Sequence, residues 1–142
     1  MFKIRTALLT SAIFMVLSCN SNKMPYEKIS EHYVYRITDY QSDPNFQTNI
    51  HTTVKLNIPF FKQFFELGIE DKNNKISEAD HEKRIDYLSS EEFINSLDER
   101  EQFISEKVHV ETKSSANRSN AEKKILKESI LAAYNAGYSS IK

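Results

Sequence analysis

"EHYVYRITDYQSDPNFQTNIHTTVKLNIPFFKQFFELG", residues 31–68, decides the fold class, because its apolar residues set the period of the first half of the domain. Residues 31–40 are rich in aromatic and β-branched side chains. Tyr33, Tyr35 and Ile37 alternate with Val34 and Arg36, the pattern of a half-buried strand. Asp43-Pro44-Asn45 is a turn signal within the loop that follows. In "IHTTVKLNIP", Thr52, Val54, Leu56 and Ile58 face one way and Thr53, Lys55 and Asn57 the other. Pro59, which has no N–H to give a ladder, ends that strand. From Phe60 the spacing turns helical: Phe60/Phe64 and Phe61/Phe65 are i,i+4 pairs, and Gly68 stands where a helix would stop. Four Phe make a broad apolar stripe suited to a core, or, if exposed, to a docking surface.

Toward the C-terminus, residues 77–101 read as helical and heavily charged. Ser77 with Asp80 and Ser89 with Glu92 resemble capping arrangements. "QFISEKVHVET", residues 102–112, returns to strand character through Ile104, Val108 and Val110. Residues 113–120 form a polar loop. The last segment, "AEKKILKESILAAYNAGYSSIK", fits a helix capped by Ser119 or Asn120, with Ile125, Leu126, Ile130, Ala133 and Tyr134 on one face and Gly137 at its end. A strand through residues 129–134 is the alternative, and length and alanine content favour the helix.

Toward the N-terminus, residues 20–28 are polar and read as a short tether. Before them stands "MFKIRTALLTSAIFMVLSC", with Lys3 and Arg5 ahead of an uncharged apolar run. That run is too short for a bilayer, which needs about 20 helical residues. It has the form of a secretory signal. Val16-Leu17-Ser18-Cys19 resembles a bacterial lipobox, in which the cysteine thiol receives a diacylglyceryl group and the chain is cut before it. Cys19 is the chain's only cysteine. A thiol is the soft nucleophile that forms a thioether with lipid, and two or more acyl chains anchor a protein stably. Asn20 stands where that family uses Asp for inner-membrane retention, so the address expected is the outer membrane. The organisation expected is a signal peptide at 1–18, a lipidated cysteine and tether at 19–28, and one domain over 29–142 with a helical insertion at about 60–101.

Composition narrows the chemistry. The formal charge of the whole chain is −1, and losing Lys3 and Arg5 makes the mature chain more acidic, which argues against a nucleic-acid partner. Once Cys19 carries lipid, no disulfide can form, so nine Phe and seven Tyr must supply the core. Gly68 and Gly137 are the only glycines, which excludes Gly-rich phosphate loops and a nucleophile elbow. His32, His51, His81 and His109 show no zinc-ligand spacing. His81, between Asp80 and Glu82, reads as solvated. Neither an enzymatic activity nor a cofactor is expected. "EDKNNKISEAD", residues 70–80, resembles part of a calcium loop: Asp71, Asn73, Ser77 and Asp80 fall at ligand positions, and Asn74 could take the positive φ. Ile69 at the first position has no side-chain oxygen, and an ordinary polar turn is the simpler account.

The unit "VYRITDYQSDPNFQTNIHTTVKLNIPFF" resembles the opening of the outer-membrane lipoproteins of type VI secretion systems, the TssJ type. "ILAAYNAG" is similar to a late strand of that family. The resemblance implies a mainly β fold, a transthyretin-like β-sandwich with helical insertions, in which residues 129–136 are a strand. It also implies a lipid-tethered adaptor that holds the periplasmic part of an inner-membrane secretion protein. The loop between the first two strands would bind that partner, here through Asp43, Pro44, Asn45 and Phe46. A surface lipoprotein binding an environmental or host ligand, and an immunity or inhibitor lipoprotein, are the alternatives.

Overall fold

The computed structural model describes residues 23–40, 49–104, 108–114 and 118–141. Its body is all-α. In chain order the elements are α1 (Pro25–Thr38), α2 (Ile50–Asn73), α3 (Glu78–Ser89), α4 (Glu91–Ser96), β1 (Asp98–Ile104), β2 (Val108–Ser114) and α5 (Asn120–Tyr138). α1, α2 and α5 pack on one another, with the largest interface between α2 and α5, and α3 lies against α5. β1 and β2 pair antiparallel from Asp98–Ser114 to Ile104–Val108, a single ribbon beside the helices. The single strand expected over 102–112 is therefore replaced by two.

The mainly β, transthyretin-like sandwich is overturned. Both expected strands in residues 31–58 are helical, because a second period in the same residues wins. Ser30, Tyr33, Val34 and Ile37 are buried in α1, and Tyr26 and Ile29 pack partly buried beside them. That is the i, i+3, i+4, i+7 stripe of a helix. Adjacent Tyr33 and Val34 are both buried, at 1% and 0% exposure, while Tyr35 is 48% exposed. A strand would put the two neighbours on opposite faces. In α2 the stripe runs Asn57, Phe61, Phe64, Phe65, Gly68 and Asp71. Pro59 lies inside this helix and on its exposed side, so the hydrogen bond it cannot donate leaves Lys55 C=O free to meet water. The stripe of four Phe belongs to the core: Phe61, Phe64 and Phe65 are buried and Phe60 is partly so.

Other boundaries move as well. α1 begins at Pro25, so the expected tether over 19–28 loses its last four residues to a helix. Pro25 suits the first helical position, where its missing N–H costs nothing, and Glu27 Oε2 accepts from Met24 N at 2.6 Å. The helical insertion expected from residue 60 starts at Ile50. The helix expected over 77–101 divides at Ser90, whose hydroxyl caps α4 by accepting from Phe93 N at 3.1 Å. The cap is thus Ser90 and not Ser89. Ser77 caps α3 as expected, accepting from Asp80 N at 3.1 Å. Ser119 caps α5 in a reciprocal box: Glu122 N donates to Ser119 Oγ at 3.3 Å, and Ser119 N donates to Glu122 Oε2 at 2.8 Å. Residues 129–136 are helical, so the late strand implied by the family resemblance is also overturned.

Both glycines read as helix stops lie inside helices, where α2 and α5 cross. A Cβ on Gly68 would collide with Tyr134 O and stand 2.6 Å from Tyr138 N. One on Gly137 would collide with Phe65 O and stand 2.8 Å from Phe65 C. Each glycine instead turns a Cα hydrogen toward the opposite backbone, the setting of a Cα–H···O contact of about 0.5–1 kcal/mol. α2 ends without a glycine. Ile76 N donates to Asp71 O (3.3 Å) and Lys75 N to Lys72 O (3.1 Å), closing a Schellman motif with Lys75 at φ 50°. Asn74, the residue expected to take positive φ, has φ −74°.

Gly68→Ala and Gly137→Ala are each expected to lower the unfolding free energy by about 3 kcal/mol or more, since backbone and not a flexible side chain blocks the methyl. In an unobstructed helix the same change would stabilise by about 0.5–1 kcal/mol. Lys75→Gly is expected to stabilise by about 1 kcal/mol by relieving left-handed strain. Urea denaturation of each variant measures the sign and size.

Candidate functional site

One turn beyond each glycine, the crossing places a carboxylate against a phenol. Asp71, three residues after Gly68, and Tyr134, three before Gly137, face each other, and Tyr134 Oη donates to Asp71 Oδ2 at 3.0 Å. Arg84 of α3 closes the group: Nε donates to Asp71 Oδ2 at 3.0 Å and Nη2 to Oδ1 at 3.3 Å. The Asp71 side chain is 5% exposed and that of Arg84 39%. A carboxylate this deep requires compensation, and the fork of Arg84 plus the phenol supplies three donors. Burial, reinforced by the bond to Asp71, raises the Tyr134 pKa well above its usual value, while Asp71 raises that of Arg84.

His81 completes the docking of α3. Its ring stacks on Tyr138 with centroids 4.1 Å apart and planes 24° apart, and lies 5.6 Å from Tyr134. Lys72 Nζ stands 4.9 Å from the Tyr138 centroid, a cation–π distance. His81 Nε2 is buried without a hydrogen-bond partner. The solvated His81 read from its charged neighbours is thus replaced by a stacked one. Its aromatic partners are 53 and 57 residues away, which no local pattern reveals. His32 and His51 lie on exposed faces of α1 and α2 and not in strands.

Asp71 and Asn73 belong to the last turn of α2, Ser77 and Asp80 to the start of α3. Asp71 turns inward to Arg84 and Tyr134. Asp80 is engaged outward: Ser77 Oγ donates to it at 2.7 Å and Lys83 Nζ at 3.1 Å. Those bonds, with the hydroxyl first, hold the Asp80 pKa below the usual range. The weak calcium candidate thus becomes a helix end and a helix cap. Among the described residues no group of three or more His, Cys, Asp and Glu could hold a metal ion. Cys19 and the expected partner-binding residues Asp43, Pro44, Asn45 and Phe46 lie outside the described residues.

Surface hollows lie between the described helices. One, of about 340 Å³, lies between Lys23, Glu27 and Glu31 of the α1 side and His51, Val54, Lys55 and Ile58 of α2. A second, of about 320 Å³, runs between α1 and α5 past His32 and Ala132. The Arg36–Glu128 pair at 2.7 Å stands at this groove and lowers the Glu128 pKa. The third, of about 140 Å³, lies where α3 and α4 meet the start of α5. Arg118, 7% exposed, donates to Tyr33 Oη at 2.7 Å and ties the chain entering α5 to α1.

No protein-family model, curated protein or solved structure matches the chain. The arrangement at the crossing is a structural lock: the donors around Asp71 are spent on helix docking. Arg84→Ala, which strips the buried carboxylate of its fork, is expected to cost about 2 kcal/mol after allowance for the exposed guanidinium. Tyr134 gives a pH signature. Its folded pKa lies above the unfolded value near 10.0, so its contribution is complete below pH 10 and is lost as pH rises further. Above pH 10, the wild type is expected to lose stability more steeply than Tyr134→Phe by about 1.4 kcal/mol per pH unit, one proton's worth. Urea titrations between pH 9 and 11.5 measure the difference in slope.

Proposed function

We propose that the chain is a lipid-anchored cell-envelope protein that works by holding a partner and not by catalysis. The observation that carries this reading is the run Lys3–Arg5, an apolar stretch, then Leu17-Ser18-Cys19, with the one thiol of the chain at the cut. The start of α1 at Pro25 adds to it. Five residues separate the thiol from a rigid helix, a reach of at most about 20 Å. Such an anchor holds the bundle beside the bilayer with the N-terminal end of α1 toward it. Among the described residues no helix is long and apolar enough to cross a membrane. An outer-membrane address, from Asn20 after the cysteine, remains part of the proposal.

An adaptor of a type VI-like secretion apparatus is the narrower form of the proposal. The segments similar to that family's strands are helices, and what supports this form is the proposed anchor together with the sequence of residues 43–46. A helical domain on a short lipid leash is equally suited to other envelope partners. The proposal is therefore the anchor and the binding role, with the secretion partner as its most specific form.

Mass spectrometry of the full chain expressed in a bacterium tests it. The expected product begins at Cys19 and carries a diacylglyceryl thioether and an amino-terminal acyl chain. Cys19→Ala is expected to leave the membrane fraction while keeping the helical circular dichroism and the melting temperature of the cleaved protein. A free thiol, or an uncut leader on a soluble protein, would overturn the reading.

A further inference from the structure

Among the described residues five ion pairs engage charged side chains of the bundle, and of the lysines that stand outside them three share one hollow. Lys23 meets Glu31, Arg36 meets Glu128, Lys62 meets Glu66, Lys83 meets Asp80 and Arg84 meets Asp71. Lys123, Lys124 and Lys127, on the first two turns of α5, all line the 140 Å³ hollow. Among the described residues none of the three has a carboxylate within ion-pair distance.

The reason is visible on α5 itself. Glu122 is committed to Ser119, and Glu128 is ion-paired to Arg36, with Lys124 and Lys127 acting on it only at longer range. Glu91 is the only carboxylate in the lining, against three lysines. The local charge is thus about +2 in a chain whose total is −1. Buried Ile94 forms part of the wall, and Ser89 and Asn120 bring polar groups to the rim. Ser89 Oγ, whose proton goes to Asp86 O at 3.0 Å, can still accept from a bound protonated anion or a water. Like charges that line one hollow repel one another, and an anion bound there offsets that repulsion with charge-assisted contacts. The volume is that of four or five waters at about 30 Å³ each. That is room for one tetrahedral oxyanion with a little solvent.

We propose that this hollow is a binding site for a phosphate group, held by Lys123, Lys124 and Lys127 as point charges. The amide groups at the start of α5 are not the ligands, since the Ser119–Glu122 box already occupies that end. The site does not depend on the lipid anchor. It stands at the other end of α5 from the anchored end of α1: the two helices run antiparallel, with Arg36 beside Glu128 and Ile29 beside Ala132.

Isothermal titration of the full chain with sodium pyrophosphate at constant ionic strength tests the assignment. Saturable binding is expected. It should weaken at least about fivefold in Lys123→Gln and in Lys127→Gln, and tighten about twofold or more in Glu91→Gln, as charge-assisted contacts are removed or a like charge is deleted. The opposite effects of Gln at 91 and at 127 separate a built site from a fold defect, because all three variants alter exposed or half-exposed side chains. Vesicles of phosphatidylglycerol form a second arm. Competition with pyrophosphate identifies a lipid headgroup as the source of the phosphate, and its absence a soluble phosphate compound. Heat that does not saturate, equal affinity in Lys127→Gln and the wild type, or the same response to sodium sulfate and chloride as to pyrophosphate would overturn the proposal.

Discussion

Gly68 and Gly137 let the backbones of α2 and α5 touch, and the remaining helices are placed by that contact. Neither position tolerates even a methyl group without collision with main-chain atoms of the opposite helix. Helices in ordinary contact lie about 8–10 Å apart, kept there by side chains. Removing the side chains at the crossing brings the next turns together as well, and there Asp71 meets Tyr134. A carboxylate so deeply placed is costly unless paired. The pairing comes from Arg84, so the requirement for a counter-charge also determines where α3 docks. His81 on the same helix then lies against Tyr138. A steric fact about two glycines thus propagates through one hydrogen-bonded carboxylate to the position of a third helix.

The other side of α2 is held by different means. Tyr33 and Phe61 meet edge to face at 5.0 Å, Tyr26 and Phe65 at 5.3 Å, and Ser30 Oγ donates to Val54 O at 2.8 Å. A small hydroxyl at Ser30 allows α1 to lie close while its polar atom stays satisfied. Aromatic rings fill what remains, as a chain without structural disulfides requires. The result is a bundle with two chemically distinct ends. The end bearing the start of α1 sits within a short tether of the proposed lipid, and the start of α5 presents unpaired ammonium groups.

Some of this was legible in the residues. Ser77 and Ser119 were readable as caps because a cap depends on groups three residues apart, and α5 was readable because its apolar face repeats over five turns. The core role of the Phe stripe followed from its i,i+4 spacing. The strand readings of 31–40 and 51–58 failed because alternation over a few residues coexists with a helical stripe, and β-branched and aromatic residues suit either. Propensity is a weak prior there, and burial against α5 outweighed it. Pro59 and Gly68 looked like boundaries for the same reason: each disfavours regular structure locally, and each is tolerated where the surroundings remove the cost. The family resemblance followed the same local alternation and fell with it as a statement about fold.

By itself the sequence determined the features whose physics is local: the positive start and apolar run before Cys19, the hydroxyl caps, and the absence of glycine-rich loops. Only the tertiary structure decided which of two periods would be buried, that the two glycines would face each other's helix, and that Asp71 would find Arg84 and Tyr134. The physical reason is distance along the chain. Caps act within a few residues, whereas the contacts that select the fold join groups 13 to 92 residues apart, whose energies exist only once the helices have met.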